Sequence, residues 1–135
     1  MIHKCTRNGQ TLRIPLLCDP EFPADVTPEA RDLFVKTLDA KTFGVDLSRV
    51  THATIRSIDG PTMAEAQMAG SHIKDPVRGG FAAAEAIVRA GLVSVDGLDD
   101  VTQAGGLYLA LVMELAQRIQ EWSTLGESAG SSSAP

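Results

Sequence analysis

A chain of 135 residues with 44% apolar and 21% charged side chains has the size and balance of one folded domain, which argues against wholesale disorder. Its net charge of −5, with no basic cluster, lacks the electrostatic footprint of a phosphate-backbone binder and disfavours nucleic acid as a direct partner. The charge is uneven: residues 1–17 carry Lys4, Arg7 and Arg13 and no acid, whereas residues 18–47 and 48–135 are both net acidic.

Only Phe22, Phe34, Phe43, Phe81, Tyr108 and Trp122 are aromatic, so the core must be built mainly of aliphatic side chains and alanine. That composition suits close-packed helices better than a sugar site or a base-stacking platform. Met1 to Leu17 mixes charges with short apolar stretches and has no signal-peptide core, and the longest apolar run, Leu107 to Met113, is far too short to span a membrane. The expectation is a reducing cytoplasm with Cys5 and Cys18 as free thiols and no Cys5–Cys18 disulfide.

The first element predicted is a β-hairpin. Asn8-Gly9 supplies the two positive-φ positions of a tight turn, which pairs Arg7 with Gln10, Cys5 with Leu12 and His3 with Ile14. Cys5, Leu12, Ile14 and Leu16 then share one face, with Lys4, Thr6, Thr11 and Arg13 on the other. Residues 18–27, rich in proline and acids, read as a surface loop. Thr27-Pro28-Glu29 opens a helix with an inward stripe of Leu33, Phe34, Thr37 and Leu38 and a stop at Gly44. An extended stretch from Thr51 to Ile58 ends in a turn at Asp59-Gly60-Pro61. Thr62-Met63-Ala64-Glu65 reads as a capping box opening a short helix that Gly70 ends.

Asp75-Pro76 starts a third helix with Val77, Phe81, Ala84 and Val88 inward, Glu85 and Arg89 paired, and Gly91 as a left-handed stop. Leu92 to Leu98 is predicted as a connector turning at Asp96-Gly97. Asp99 or Asp100 caps the last helix, predicted to run to about Trp122 with Val101, Ala104, Tyr108, Leu111, Leu115, Ile119 and Trp122 as its stripe. Leu107 to Met113 is apolar on every side, the pattern of a helix that is central in a core or shared with another chain, plain core being the commoner case. Residues 125–135 read as a flexible Gly/Ser-rich tail, leaving residues 1–124 as a single globular domain.

Chemistry-bearing residues are sparse. His3, Cys5 and Cys18 match no zinc spacing, so no metal and no cofactor are expected. His52, Ser57 and Asp59 are close in sequence, but residues five apart on a strand face opposite sides. His72 reads as a solvated loop histidine. Gly79-Gly80 and Gly105-Gly106 lack the strand context of phosphate loops and read as close-packing sites within helices. Asp96-Gly97-Leu98-Asp99-Asp100 lacks the alternating acids of a calcium loop and reads as a turn followed by a cap. Catalytic residues are therefore expected to be none.

Four segments together resemble the small proteins of the tail-gene modules of tailed bacteriophages: Arg13-Ile14-Pro15-Leu16-Leu17-Cys18-Asp19-Pro20, Thr27-Pro28-Glu29-Ala30-Arg31, Ile55-Arg56-Ser57-Ile58 leading into Thr62-x-x-Glu65, and Ile87 through Gly97. The resemblance, to tail-assembly-chaperone-like and minor virion proteins, covers about residues 12 to 122. It carries over no functional residue. It implies a non-enzymatic morphogenesis role in the tail or neck, through contacts with other phage structural proteins or with itself, in the host cytoplasm and the virion.

The sequence therefore predicts an α+β domain: an N-terminal hairpin and a short extra strand packed against three to four helices. Leu109, Val112, Met113 and Trp122 are the expected protein-interface residues. Two rival readings stay open, a small cytoplasmic enzyme using His72 or the His3/Cys5 pair, and a host protein-binding regulator.

Overall fold

The computed structural model describes the backbone of residues 10–132 and the side chains of residues 10–125. The architecture is α+β. Strands β1 (Thr11–Pro15), β2 (His52–Arg56) and β3 (Leu92–Val95) form an antiparallel sheet in the order β1-β2-β3. Helices α1 (Pro28–Thr37), α2 (Gly60–Gln67), α3 (Pro76–Gly91) and α4 (Tyr108–Ser132) complete it, with 3-10 segments at Ala40–Phe43, Met68–Gly70 and Val101–Leu107.

Leu12 lies opposite Ile55, Ile14 opposite Ala53, and Ala53 opposite Val95, so one sheet face is aliphatic. Ile14, Ala53 and Ile55 are fully buried, whereas Arg13 on the other face is exposed, as the alternation in residues 11–16 requires. The Ser57 amide donates to the Gln10 carbonyl and the Leu16 amide to the Thr51 carbonyl. Even-numbered residues of β1 thus bond toward β2, and Thr11 and Arg13 turn their backbone groups to the outer edge. Pro15, which has no amide hydrogen, turns its backbone nitrogen away from β2, so the proline costs no hydrogen bond to that strand. The expected hairpin pairings of His3, Cys5 and Arg7 lie outside the described residues.

The helix starts are set by side-chain caps. Thr27 caps α1, and Asp75 caps α3 ahead of Pro76. The cap of α2 is Asp59, whose carboxylate accepts from the Thr62 amide at 2.7 Å, so Thr62 sits inside the helix and Asp59-Gly60-Pro61 is its first turn. An ionised acid at the positive end of the helix outcompetes a hydroxyl three residues later.

Several expected positions are corrected. α1 ends at Thr37, with Leu38 in the left-handed conformation at φ 55°, while Gly44 caps the following 3-10 turn. Of the expected α1 stripe only Phe34 and Leu38 are buried, because Leu33 and Thr37, four residues apart, form the neighbouring row of the helix, and that row faces solvent. Val77, in the first turn of α3, is 80% exposed, and the buried stripe is Ala84, Ile87 and Val88. Gly91 is not a left-handed stop. A Cβ there would stand 2.5 Å from Ile119 Cγ2, so its missing side chain lets α3 approach α4. Likewise Gly79 lies against Gly70, where a Cβ on Gly70 would come too close to the Gly79 carbonyl oxygen. The connector at Leu92 is a strand, β3, with a bulge where it meets Thr54 and Ile55.

The last helix is broken. Asp100 caps the 3-10 segment with a capping box to Gln103, and Gly105 then adopts φ 59°, ψ −122°, which no other residue type adopts readily. Neither Gly105 nor Gly106 has a neighbour within 4 Å of a would-be Cβ, so this pair redirects the chain and serves no close packing. α4 starts afresh at Tyr108 and continues to Ser132, where coil is expected from residue 125.

Candidate interaction surface

α4 is held to the sheet by polar side chains on its inner face as well as by its aliphatic stripe. Leu111, Leu115 and Ile119 fill the core, and Glu114 and Arg118, one helical step away on the same side, are buried beside them. The Glu114 carboxylate accepts from the Leu17 amide at 2.7 Å and the Cys18 amide at 2.8 Å, clamping the chain where it leaves β1. Trp122 Nε1 donates to the Gln10 carbonyl at 2.9 Å, at the opposite end of β1. Ser123 Oγ accepts from the Ile58 amide at 3.0 Å and donates to the Ile119 carbonyl at 2.8 Å. Burial lowers the pKa of Arg118, opposed by the charges of Glu114 and Glu121, and its guanidinium lies 6.0 Å from the Phe34 ring centroid. The expected stripe omits Glu114 and Arg118, although their spacing from Leu111 puts them on it.

The outer side of α4 begins apolar. Leu109 is 61% exposed and Met113 42% exposed; being four residues apart they share one face, with exposed Ala110 beside them. Further along, that side turns polar at Gln117 and Thr124. Leu107, at the end of the 3-10 segment, is 41% exposed. Of the four expected interface residues, the structure groups Leu109 and Met113 on this face and withdraws the other two. Val112 is 1% exposed and Trp122 is buried, both in the domain's own core, because Val112 lies seven residues before Ile119 and Trp122 seven after Leu115, close to two full turns and so on the inner side of α4.

Leu107 also borders a groove of about 330 Å³ between the loop after β1, the turn after β3 and the start of α4. Its walls include Leu16, Leu98 and Leu111, with Asp19 and Asp96 among its polar groups. Asp19 is locked in place: burial opposes its ionisation, but hydrogen bonds from the Glu21 and Thr51 amides outweigh this and hold its pKa below the usual value. Asp96 pairs with Arg13 at the surface. Cys18, a free thiol on the groove wall, is pushed up to about 12 by burial and by the neighbouring Glu114 carboxylate. At neutral pH it is a protonated thiol and a poor nucleophile.

The other chemistry-bearing residues are dispersed. The His52 ring sits 2.8 Å from the Val50 carbonyl, Ser57 is buried on the opposite side of the sheet, and Asp59 is occupied as the α2 cap. His72 is exposed in the loop before α3. His3 and Cys5 lie outside the described residues. Among the described residues no group of three or more histidine, cysteine or acidic side chains could hold a metal ion, and no helix is long and apolar enough to cross a membrane. Comparison with protein-family models, characterised proteins and solved structures finds no match to this chain.

Proposed function

We propose that the protein is a non-enzymatic morphogenesis component of a tailed bacteriophage, a structural or assembly subunit of the tail or neck that works through protein contacts in the host cytoplasm or the virion. The observation that carries the protein-contact part is the apolar start of α4, where Leu109 and Met113 face solvent on a helix whose inner side is already saturated. Leaving a leucine and a methionine about half exposed on adjacent turns forgoes about half of the roughly 1.5–3 kcal/mol that full burial of such a side chain contributes, which a partner would recover. The phage setting rests on the sequence resemblance over residues 12 to 122.

Gene neighbourhood and particle composition test the setting. Capsid, tail-tube or tape-measure genes beside this one support it, whereas a metabolic operon contradicts it. Mass spectrometry of purified particles separates the two roles: a virion subunit copurifies with tails, and an assembly factor is present in the infected cell but missing from the particle.

A further inference from the structure

We infer that a second groove, formed by the last turns of α3, strand β3 and the residues that follow it, binds a free aliphatic α-amino acid. It encloses about 260 Å³, at the small end of ligand-pocket volumes. Val88, Leu92, Val95, Leu98 and Val101 line it with branched aliphatic carbon and no aromatic ring, so it suits a leucine-like side chain better than a flat one. Charge identifies the rest of the ligand. Arg89 stands on the α3 wall, and Asp99 and Asp100 stand on the segment after β3. The expected Glu85–Arg89 pair is not made: Glu85 accepts from the Tyr108 hydroxyl at 2.7 Å, and among the described residues no acid pairs with Arg89. Among the same residues nothing donates to the Asp99 carboxylate, and Asp100 uses Oδ1 alone, for the Thr102 amide and hydroxyl.

Arg89 and Asp100 are neighbours. The pKa of Tyr108 is raised first by its hydrogen bond to Glu85; the Asp100 charge raises it further and the Arg89 charge lowers it, so both act on one hydroxyl. They are too far apart to pair directly and close enough to share that hydroxyl, a gap that a carboxylate and an ammonium on one carbon atom bridge. The α-carboxylate then faces the Arg89 fork, the α-ammonium faces Asp100 with Asp99 beside it, and the side chain lies along Val88, Leu92 and Leu98. An anion alone would meet two aspartates and a cation alone would meet the arginine, so the groove selects a ligand that carries both charges. This binding is independent of the Leu109–Met113 face, and either can fail without the other.

The test is an NMR titration of the full chain with L-leucine and with three compounds that each lack one part of it: isocaproate without the ammonium, isoamylamine without the carboxylate, and glycine without the side chain. The expected result is that leucine at millimolar concentration moves the amides of Val93, Ser94 and Val101 in a saturable way, and that each of the three binds at least about tenfold more weakly. Arg89→Gln, at an exposed position, and Asp100→Asn, which keeps the cap on Thr102, should each weaken leucine binding about tenfold with a melting temperature near that of the parent. A leucine response that does not saturate, an analogue that binds as well as leucine, shifts centred elsewhere, or folded variants that bind like the parent would each overturn the proposal. Equal binding of N-acetyl-leucine amide would also overturn it, because the groove would then be reading a side chain within a protein partner. The analogue series on the parent chain decides the question even where a variant fails to fold.

Discussion

Glu114 ties α4 to the rest of the domain twice over, because one carboxylate satisfies two consecutive amides of a chain leaving the sheet. Glu114→Ala would leave the Leu17 and Cys18 amides without acceptors, and should cost about 1–3 kcal/mol in a urea unfolding experiment. Glu114→Gln, which keeps an acceptor oxygen, should cost less; an alanine variant as stable as the parent would refute the clamp. Cys18 gives a pH readout on the same spot. Its thiol ionises near 12 in the folded chain against an ordinary value of 9.0, so the folded state retains a proton that the unfolded state releases as pH rises between them. The contribution of this group is flat below about pH 9 and becomes destabilising above it. Alkylation followed by mass spectrometry of the Cys18 peptide should accordingly be slow at pH 9 in the native protein and fast in urea; equal rates would contradict the burial of this thiol.

Among the elements, those with a local physical signature are legible in the sequence and those decided by competition are not. Thr27-Pro28 and Asp75-Pro76 state their helix starts, and the alternation through Leu12, Arg13 and Ile14 gives the faces of β1 correctly. The α2 start is misplaced by three residues because Thr62 and Asp59 are both competent caps, and only the fold decides between them. β3 escapes notice because four residues beside Gly91 carry no alternation of their own and become a strand through pairing with β2. The break at Gly105 is hidden because the apolar spacing runs through it from Val101 to Trp122, so periodicity reports one helix where the chain makes two segments. Of the expected surface, Leu109 and Met113 follow from helical geometry, whereas the groove joins residues 16, 98 and 107, which no local pattern brings together. The two glycines offer a paired test. Gly105→Ala forces a side chain into φ 59°, ψ −122° and should cost about 1–3 kcal/mol, while Gly106→Ala meets nothing within 4 Å and should be neutral or stabilising by about 0.4–1 kcal/mol. Denaturation midpoints that shift equally would show that the chain does not depend on this turn.

For the molecule as a whole, the sheet and α4 form a rigid frame, with α4 tied to both ends of β1, and this frame presents the apolar face at the start of α4. The central claim is that this face exists to be covered by protein. Leu109→Glu/Met113→Glu places two carboxylates at positions already facing water, so the far-ultraviolet circular dichroism spectrum and melting temperature should stay close to those of the parent. The decisive measurement is sedimentation velocity of parent and double variant, each alone and each mixed with the products of the neighbouring structural genes. The account predicts that the parent sediments as a complex, with itself or with one of those proteins, and that the folded double variant sediments as a free monomer. A folded double variant that still assembles like the parent, or a parent that remains a monomer in every mixture, would contradict it.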